Sequence, residues 1–172
     1  MTGRIAQINV SAGGVPKRPV RTARVTRIGL EGDGHRNRRL HGGPDRALCL
    51  FSLELIEALQ AEGHRVEPGA LGENLTVAEL DWSRVRPDDV FRLGETVLIQ
   101  ITQFTSPCET VRAAFLDGAH SRVSEARHPG WSRVYARVLV SGEIATGDRI
   151  ERVGPAEAAQ PHAAASRAEA GA

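Results

Sequence analysis

The chain has 172 residues, of which 41% are hydrophobic and 25% are charged, a balance typical of one soluble globular domain with a substantial core. The formal net charge of +1 argues against binding of nucleic acid polymers or membranes through a general basic surface. Two cysteines exclude a disulfide scaffold, and no apolar run approaches the roughly 20 residues of a membrane-spanning helix. The first residues lack the pattern of a secretory signal, so we expect a cytoplasmic location.

Short apolar runs separated by glycine and proline predict strands in the first half of the chain. Arg4–Val10 and Val20–Ile28 predict two strands, and the compact run Ala47–Phe51 predicts a buried one. Ser52 is a predicted helix cap, because apolar residues at helical spacing follow it. Gly63 is predicted to end that helix.

The second half of the chain predicts further strands and one more helix. Val90–Leu93 and Thr96–Gln103 flank a Gly-Glu turn and predict a hairpin, since apolar residues alternate along the second run. Glu109–Leu116 predicts a helix. Arg133–Val140 alternates clearly, and Asp148–Val153 predicts a short final strand.

Many short strands and few helices, with no alternating strand–helix rhythm, predict a mainly β barrel or sandwich with a few short helices. We expect a single domain over residues 1–154. Residues 155–172 are rich in alanine and carry no core pattern, so they predict a disordered tail.

A glycine-rich, charged stretch over residues 29–51 is the main candidate for ligand binding. Glycine allows the backbone to approach a ligand closely, and the predicted strand behind it would hold the loop still. The segment His41-Gly42-Gly43 could expose N–H groups as an anion-binding nest or form a plain turn. The pair Asp45-Arg46 could face a ligand, bond to each other or cap the turn.

The two cysteines receive different interpretations. Cys108 follows a proline directly after a predicted strand, so it could project from a scaffolded loop. Its thiolate could bind a soft metal or carry sulfur as a persulfide, or the residue could be a small buried hydrophobe. Cys49 lies within an apolar run and is interpreted as a buried hydrophobe.

Four further polar residues have both a binding and a structural interpretation. Lys17, the one lysine, follows a Gly-Gly-Val-Pro loop and could reach an anion or stay solvated. Asn74 could hydrogen-bond a ligand or its own turn. Arg133 and Arg137 share one face of a predicted strand, where they could line a phosphate site or coat the solvent-facing side.

These motifs, taken in chain order, resemble the MOSC family, named for the C-terminal domain of molybdenum cofactor sulfurase. The similarity is to the short, stand-alone bacterial members and covers roughly residues 4–152. Its motifs are Gly13-Gly14-Val15-Pro16-Lys17, Gly29-Leu30-Glu31-Gly32-Asp33, His41-Gly42-Gly43-Pro44-Asp45-Arg46-Ala47, Phe51-Ser52, Gly72-Glu73-Asn74-Leu75-Thr76, Ser106-Pro107-Cys108, and Tyr135-Ala136-Arg137-Val138 before Gly147-Asp148.

The resemblance implies a mainly β fold similar to the pyruvate kinase β-barrel. It implies molybdenum cofactor binding, two-electron reduction of N-hydroxylated small molecules such as hydroxylaminopurines and amidoximes, and an electron-donor protein as partner. Pyridoxal phosphate binding is a further implication. A monomer or homodimer is expected. Two alternatives stay open: a sulfur carrier that uses a persulfide, and a non-catalytic module that delivers the cofactor.

The resemblance also assigns expected roles to residues of the site. Cys108 is expected to be both the metal ligand and a catalytic residue. His41 and Asp45 are the other expected catalytic residues, which would shape the pocket or supply a proton. The expected cofactor-binding residues are Lys17, His41, Gly42, Gly43, Arg46, Asn74 and Arg137.

Overall fold

The computed structural model describes residues 1–34 and 43–154, and its dominant element is a closed barrel of seven strands. The strands of the described residues are β1 (Thr2–Val10), β2 (Arg18–Val20), β3 (Thr22–Thr26), β4 (Gly29–Leu30), β5 (Leu48–Ser52), β6 (Leu75–Ala78), β7 (Val90–Leu93), β8 (Val97–Phe104), β9 (Val134–Val140), β10 (Gly142–Ala145) and β11 (Arg149–Arg152).

The barrel runs in the order β11, β7, β8, β9, β5, β6, β1, and it closes because β1 also pairs with β11. In that closing pair, Thr2 lies opposite Glu151 and Arg4 opposite Arg149. Strands β5 and β6 are parallel, whereas the other barrel pairs are antiparallel. Strand β2 extends the sheet beside β1, and β10, β3 and β4 form a second, small sheet. The predicted mainly β barrel with few helices is confirmed.

Alternating side chains fill the barrel interior, as the strand periodicity predicted. On β9, Val134, Ala136 and Val138 are buried, whereas Arg137 is exposed on the outer face. The predicted hairpin is confirmed as β7 and β8, with Phe91 opposite Ile99 and both side chains buried. The outward residues of β9 therefore remain available for other contacts.

The α-helix of the described residues, α1 (Leu53–Ala61), links the two parallel strands. Ser52 caps it as predicted, because its Oγ accepts a hydrogen bond from the Leu55 N–H at 3.3 Å. Ile56 and Leu59 are fully buried on its inner face. Gly63, with φ of 91°, follows the end of the helix, as expected of a left-handed terminator.

Three elements differ from the sequence prediction. The single strand predicted over Val20–Ile28 is divided between β2 and β3, which belong to different sheets. The predicted helix at 109–116 is a 3-10 helix, Glu109–Ala114, followed by two shorter 3-10 turns. The pair Gly142-Glu143 predicts a turn by its composition, but both residues lie in β10, which pairs with the distant β3. The predicted disordered tail, residues 155–172, lies outside the described residues. Across residues 1–34 and 43–154 no helix has the length and apolar character needed to cross a membrane.

Candidate functional site

Loops from four parts of the chain surround a cavity of about 330 Å³ on the outer side of the barrel. The β1–β2 loop supplies Gly13, Gly14 and Lys17, and the loop after β8 supplies Cys108. The structure therefore brings together five residues to which the sequence analysis gave a possible binding role, together with the glycines beside them. These five cavity-lining residues are Lys17, Arg46, Asn74, Cys108 and Arg133.

A buried carboxylate, Asp33, joins two of these loops. It accepts hydrogen bonds from Lys17 Nζ, from the Ser11 N–H at 2.9 Å and from Asn74 Nδ2 at 2.8 Å. The side chains of Lys17 and Asp33 are only 6% and 3% exposed. Asn74 in turn exchanges two hydrogen bonds with the backbone of Cys49, at 2.7 and 3.1 Å. The Lys17 charge is thus neutralised in place, and Asn74 both lines the cavity and ties it to β5.

Arg133 is a buried cation in the cavity wall with an unused donor. Its residue is 6% exposed, and its Nη1 donates to the Leu71 carbonyl. Its Nε is buried and has no hydrogen-bond partner within the described residues. Leaving a buried charged donor unpaired is unfavourable by about 1–3 kcal/mol or more. Because Arg133 lines the cavity, an anionic ligand there would compensate the charge of its guanidinium group.

A second buried ionisable group, Glu73, lies next to Asn74 in the chain. It is fully buried, and burial raises the pKa of its carboxyl, against the opposing effects of the Gly69 N–H and the Arg133 charge. Its Oε1 accepts from the Gly69 N–H at 2.5 Å and from the Thr76 hydroxyl at 3.3 Å. Glu73 therefore holds the loop that carries Leu71 and Asn74.

The two thiols differ in accessibility. Cys108 is half-buried, and its Sγ lies 2.7 Å from Thr110 Oγ1 at the start of the 3-10 helix. Cys49 is 5% exposed in β5, and burial raises the pKa of its thiol to about 11. Because thiolates are the reactive and metal-binding form, Cys108 is the better placed of the two for chemistry.

Tyr135 of β9 lies in the cavity wall beside Cys49, its cross-strand partner in β5. Burial raises the pKa of its phenol to about 12, with smaller opposing effects from the Arg133 and Arg46 charges. The Arg46 guanidinium lies 5.6 Å from the centre of the tyrosine ring, in a cation–π arrangement.

Three other predicted site residues do not line the cavity. Arg137 and Asp45 form an exposed ion pair at 3.1 Å, with side chains 45% and 68% exposed. Gly43 precedes the 3-10 helix Pro44–Arg46 with a φ of 102°. His41 and Gly42 lie outside the described residues.

Sequence reasoning did not select Asp33 or Tyr135 as site residues. The sequence analysis named Arg133 as a possible phosphate-site residue. Tyr135 was detectable in principle, because alternation along β9 places it on the same outward face as Arg137. Asp33 carried no signal from residue spacing, since its partners come from segments distant in sequence, although it lies in one of the motifs that carry the family resemblance.

Comparison with known proteins identifies the class of domain to which this barrel and its cavity belong. The MOSC domain family model matches residues 37–151, so the chain belongs to the MOSC family. The chain is 36% identical over 140 residues to "Uncharacterized protein YflK" of Bacillus subtilis, a match that covers 80% of the chain and 62% of that protein. It is 33% identical over 134 residues to "Protein YiiM" of Escherichia coli, covering 75% and 58%.

The chain thus spans about three fifths of the length of these two bacterial relatives. A longer relative, named "Reductase", from Gibberella moniliformis, is 31% identical over 128 residues, which cover 71% of the chain and 22% of that protein.

Solved structures show the same fold. YiiM from Geobacillus stearothermophilus superposes with a TM-score of 0.69 at 26% identity, covering 88% of the chain and 75% of that structure. YiiM from Escherichia coli gives a TM-score of 0.64 at 28% identity, covering 88% and 70%.

Proposed function

We propose that the domain binds the molybdenum cofactor in this cavity and uses it to reduce N-hydroxylated small molecules. One observation carries the proposal: the accessible Cys108 thiol and the buried residue Arg133, whose Nε has no partner within the described residues, line the same cavity. A thiol suits a soft metal, and a buried guanidinium suits a phosphate. The cofactor carries both chemistries, a metal and a phosphate, in one molecule.

The other residues of the cavity fit an anionic ligand. In the described part of the chain, the charged side chains that line the cavity are the cations Lys17, Arg46 and Arg133. Gly14 has a φ of 92°, and a Cβ at this position would meet nothing within 4 Å, so its backbone faces open space. Such a glycine loop can present its N–H groups to a phosphate.

Under this proposal, each lining residue has a separate task. Cys108 is the protein ligand of the metal, and Arg133 and Arg46 hold the phosphate. Asn74 and the paired Lys17 fix the shape of the wall between them. When bound, the cofactor supplies two-electron redox chemistry, while the chain binds and orients it and the substrate. The electrons come from a separate donor protein. The name "Reductase" given to the Gibberella relative supports this reaction class.

The phosphate-binding groups would also suit pyridoxal phosphate, the other cofactor that the family resemblance implies. That cofactor forms a Schiff base through a free lysine amine. The one lysine, Lys17, is 6% exposed and donates to Asp33. The cavity therefore favours the molybdenum cofactor over a pyridoxal phosphate aldehyde.

A sulfur carrier is the second candidate, and the contrast between the two thiols indicates which cysteine would carry the sulfur. Cys108 is half-buried beside Thr110, whereas Cys49 is buried with a pKa near 11. A persulfide would therefore form on Cys108 rather than on Cys49.

Metal content tests the proposal directly. The protein is expressed with ample molybdate and an active cofactor pathway, and molybdenum is measured by elemental analysis and pterin by fluorescence. We expect stoichiometric amounts of both. Cys108→Ala is expected to lose the metal, whereas the matched variant Cys49→Ala is expected to keep it.

Three results would change the assignment. Full molybdenum in Cys108→Ala would show that Cys108 is not the ligand. Absence of molybdenum and pterin, with the mass of one extra sulfur on Cys108, would favour the sulfur carrier. Stoichiometric molybdenum without turnover of amidoximes or hydroxylaminopurines, assayed with a reduced viologen, would favour a module that delivers the cofactor.

A further inference from the structure

Reduction of an N-hydroxylated compound needs protons as well as electrons. The balanced reaction is R–NH–OH + 2e⁻ + 2H⁺ → R–NH₂ + H₂O. Hydroxide is a poor leaving group, so the departing oxygen must receive a proton as the N–O bond breaks. If the domain has the proposed reductase function, one of its residues must supply this proton.

Tyr135 places a hydroxyl group in the cavity wall. The residue is half-buried on the outer face of β9, between Cys49 of β5 and Gln103 of β8, its cross-strand partners. Its hydroxyl makes no hydrogen bond within the described residues, although the ring is held by packing and by Arg46 at 5.6 Å. The group is therefore fixed in position while its proton stays free for a ligand.

The other proton-bearing side chains of the described cavity are less suitable. The Thr110 hydroxyl lies against Cys108 Sγ at 2.7 Å, and Lys17 Nζ donates to Asp33. The guanidinium groups of Arg46 and Arg133 hold their protons too tightly to act as acids. The Cys49 thiol is 5% exposed. Tyr135 thus combines an available proton with exposure to the cavity.

We propose that the Tyr135 hydroxyl donates a proton to the leaving oxygen of the N-hydroxylated substrate. The O–H bond of Tyr135 breaks and a new O–H bond forms on that oxygen. The N–O bond breaks as two electrons from the donor protein reduce the nitrogen, and water departs. The nitrogen takes its second proton from solvent, and the tyrosinate regains a proton from water.

The surroundings of the phenol agree with this role. Burial raises its pKa to about 12, so the group stays protonated at neutral pH. Water, the conjugate acid of the departing hydroxide, has a pKa of about 15.7, so transfer from Tyr135 is downhill. The charged and titratable groups that face it are Arg46, Cys49, Cys108 and Arg133, and the two arginines stabilise the transient tyrosinate.

The variant Tyr135→Phe, in the full-length protein loaded with molybdenum, tests the proposal. We expect kcat for an amidoxime to fall about 100-fold or more, the range of general acid catalysis. Molybdenum content and melting temperature are expected to match the wild type. The O-acetylated amidoxime, whose acetate leaves without a proton, is expected to react at the wild-type rate. Ser83→Ala, an exposed hydroxyl that bonds Asp81, serves as control for both substrates.

A second measurement does not depend on turnover. Tyr135 is the one tyrosine of the chain, so the tyrosinate absorbance band reports this phenol alone. We expect a titration midpoint near 12, above the value of about 10 for an unperturbed tyrosine. A midpoint at or below the unperturbed value would contradict a buried, protonated donor.

The outcomes separate the two proposals. Wild-type kcat in Tyr135→Phe would overturn the donor role and leave the reductase function intact. Equal losses for the amidoxime and its O-acetyl derivative would also overturn it, because a binding role does not distinguish leaving groups. A loaded wild-type protein without any turnover would overturn the reductase function, and the donor role with it.

Discussion

At the scale of single residues, the Asp33 carboxylate accepts hydrogen bonds from three separate parts of the candidate site. Lys17, Asn74 and the Ser11 N–H all donate to it, and Asp33 itself is almost fully shielded from solvent. Removing one partner of a buried ion pair leaves the other charge uncompensated, which destabilises a protein far more than losing a surface pair. Asp33 therefore contributes to stability and to the position of Lys17.

Asp33→Asn is expected to destabilise the protein by about 3–5 kcal/mol, because Lys17 remains buried without a countercharge. Urea denaturation measures the change. Glu79→Gln is the matched control, since it breaks the exposed ion pair with Arg4, whose two side chains are 45% (Arg4) and 67% (Glu79) exposed. We expect a loss of less than about 1 kcal/mol for that control. Equal losses in the two variants would contradict the burial argument.

Glu73→Gln is expected to change how stability depends on pH. Burial raises the carboxyl pKa of Glu73 above its ordinary value of 4.5. The contribution of Glu73 to folding stability is therefore fully present below pH 4.5 and is lost as pH rises through the raised pKa. Glutamine does not ionise and keeps the oxygen that accepts from the Gly69 N–H. The melting temperature of the variant minus that of the wild type should therefore be larger at about pH 8 than at about pH 5. A constant difference would show that Glu73 is not linked to folding.

At the scale of elements, local periodicity predicted the strands but not all of their partners. Alternation along Thr96–Gln103 was sufficient for the β7–β8 hairpin, because its partner follows directly in the chain. Strand β10 was missed because its pairing with β3 depends on residues far away in sequence. The 3-10 helix after Cys108 was predicted as an ordinary helix, since apolar spacing does not separate the two types over one or two turns.

The candidate site follows the same division. Lys17, Asn74 and Cys108 were each indicated by a short motif in the residue's own loop, and all three line the cavity. Asp33 and Tyr135 gain their positions from contacts between distant segments, namely the hydrogen bonds of Asp33 and the β5–β9 pairing. Such contacts cannot be derived from the spacing of residues in a single sequence, although both residues lie in motifs that carry the family resemblance.

Ser52→Ala is expected to weaken the cap of α1, the helix that connects the parallel strands. The Ser52 hydroxyl accepts from the Leu55 N–H, and alanine leaves that donor without its partner. The expected loss is about 1 kcal/mol in urea denaturation. The exposed Ser83→Ala should change stability by less than about 0.5 kcal/mol. A loss for Ser52→Ala no greater than that of the control would show that the cap contributes nothing measurable.

At the scale of the whole molecule, one pair of strands closes the barrel. Strand β11 bonds to β1 on one side and to β7 on the other. Ile150 of β11 is fully buried between them. Without β11, both neighbours would expose unpaired edges, and the barrel interior would open along its length.

Two truncations test this closure and the predicted domain boundary together. A chain ending at Gly154 retains every described strand, and we expect its melting temperature to equal that of the full chain. A chain ending at Thr146 lacks β11, and we expect it to lose cooperative thermal unfolding in circular dichroism. Cooperative unfolding of the shorter chain would show that the β1–β11 pairing is dispensable, and destabilisation of the longer one would move the domain boundary beyond residue 154.

The same pairing sets the geometry of the two chain ends of the barrel. The Arg152 N–H donates to the Met1 carbonyl at 2.9 Å, so the first and last strands begin and finish side by side. A domain whose two ends are adjacent can be inserted into a surface loop of a host protein without distorting the domain or the loop. Exposed loops are the sites at which domain insertion is best tolerated. The barrel could therefore be inserted into a surface loop of an electron-transfer protein through two short linkers, one at each of its adjacent ends. Such an insertion would leave the residues of the cavity wall unchanged.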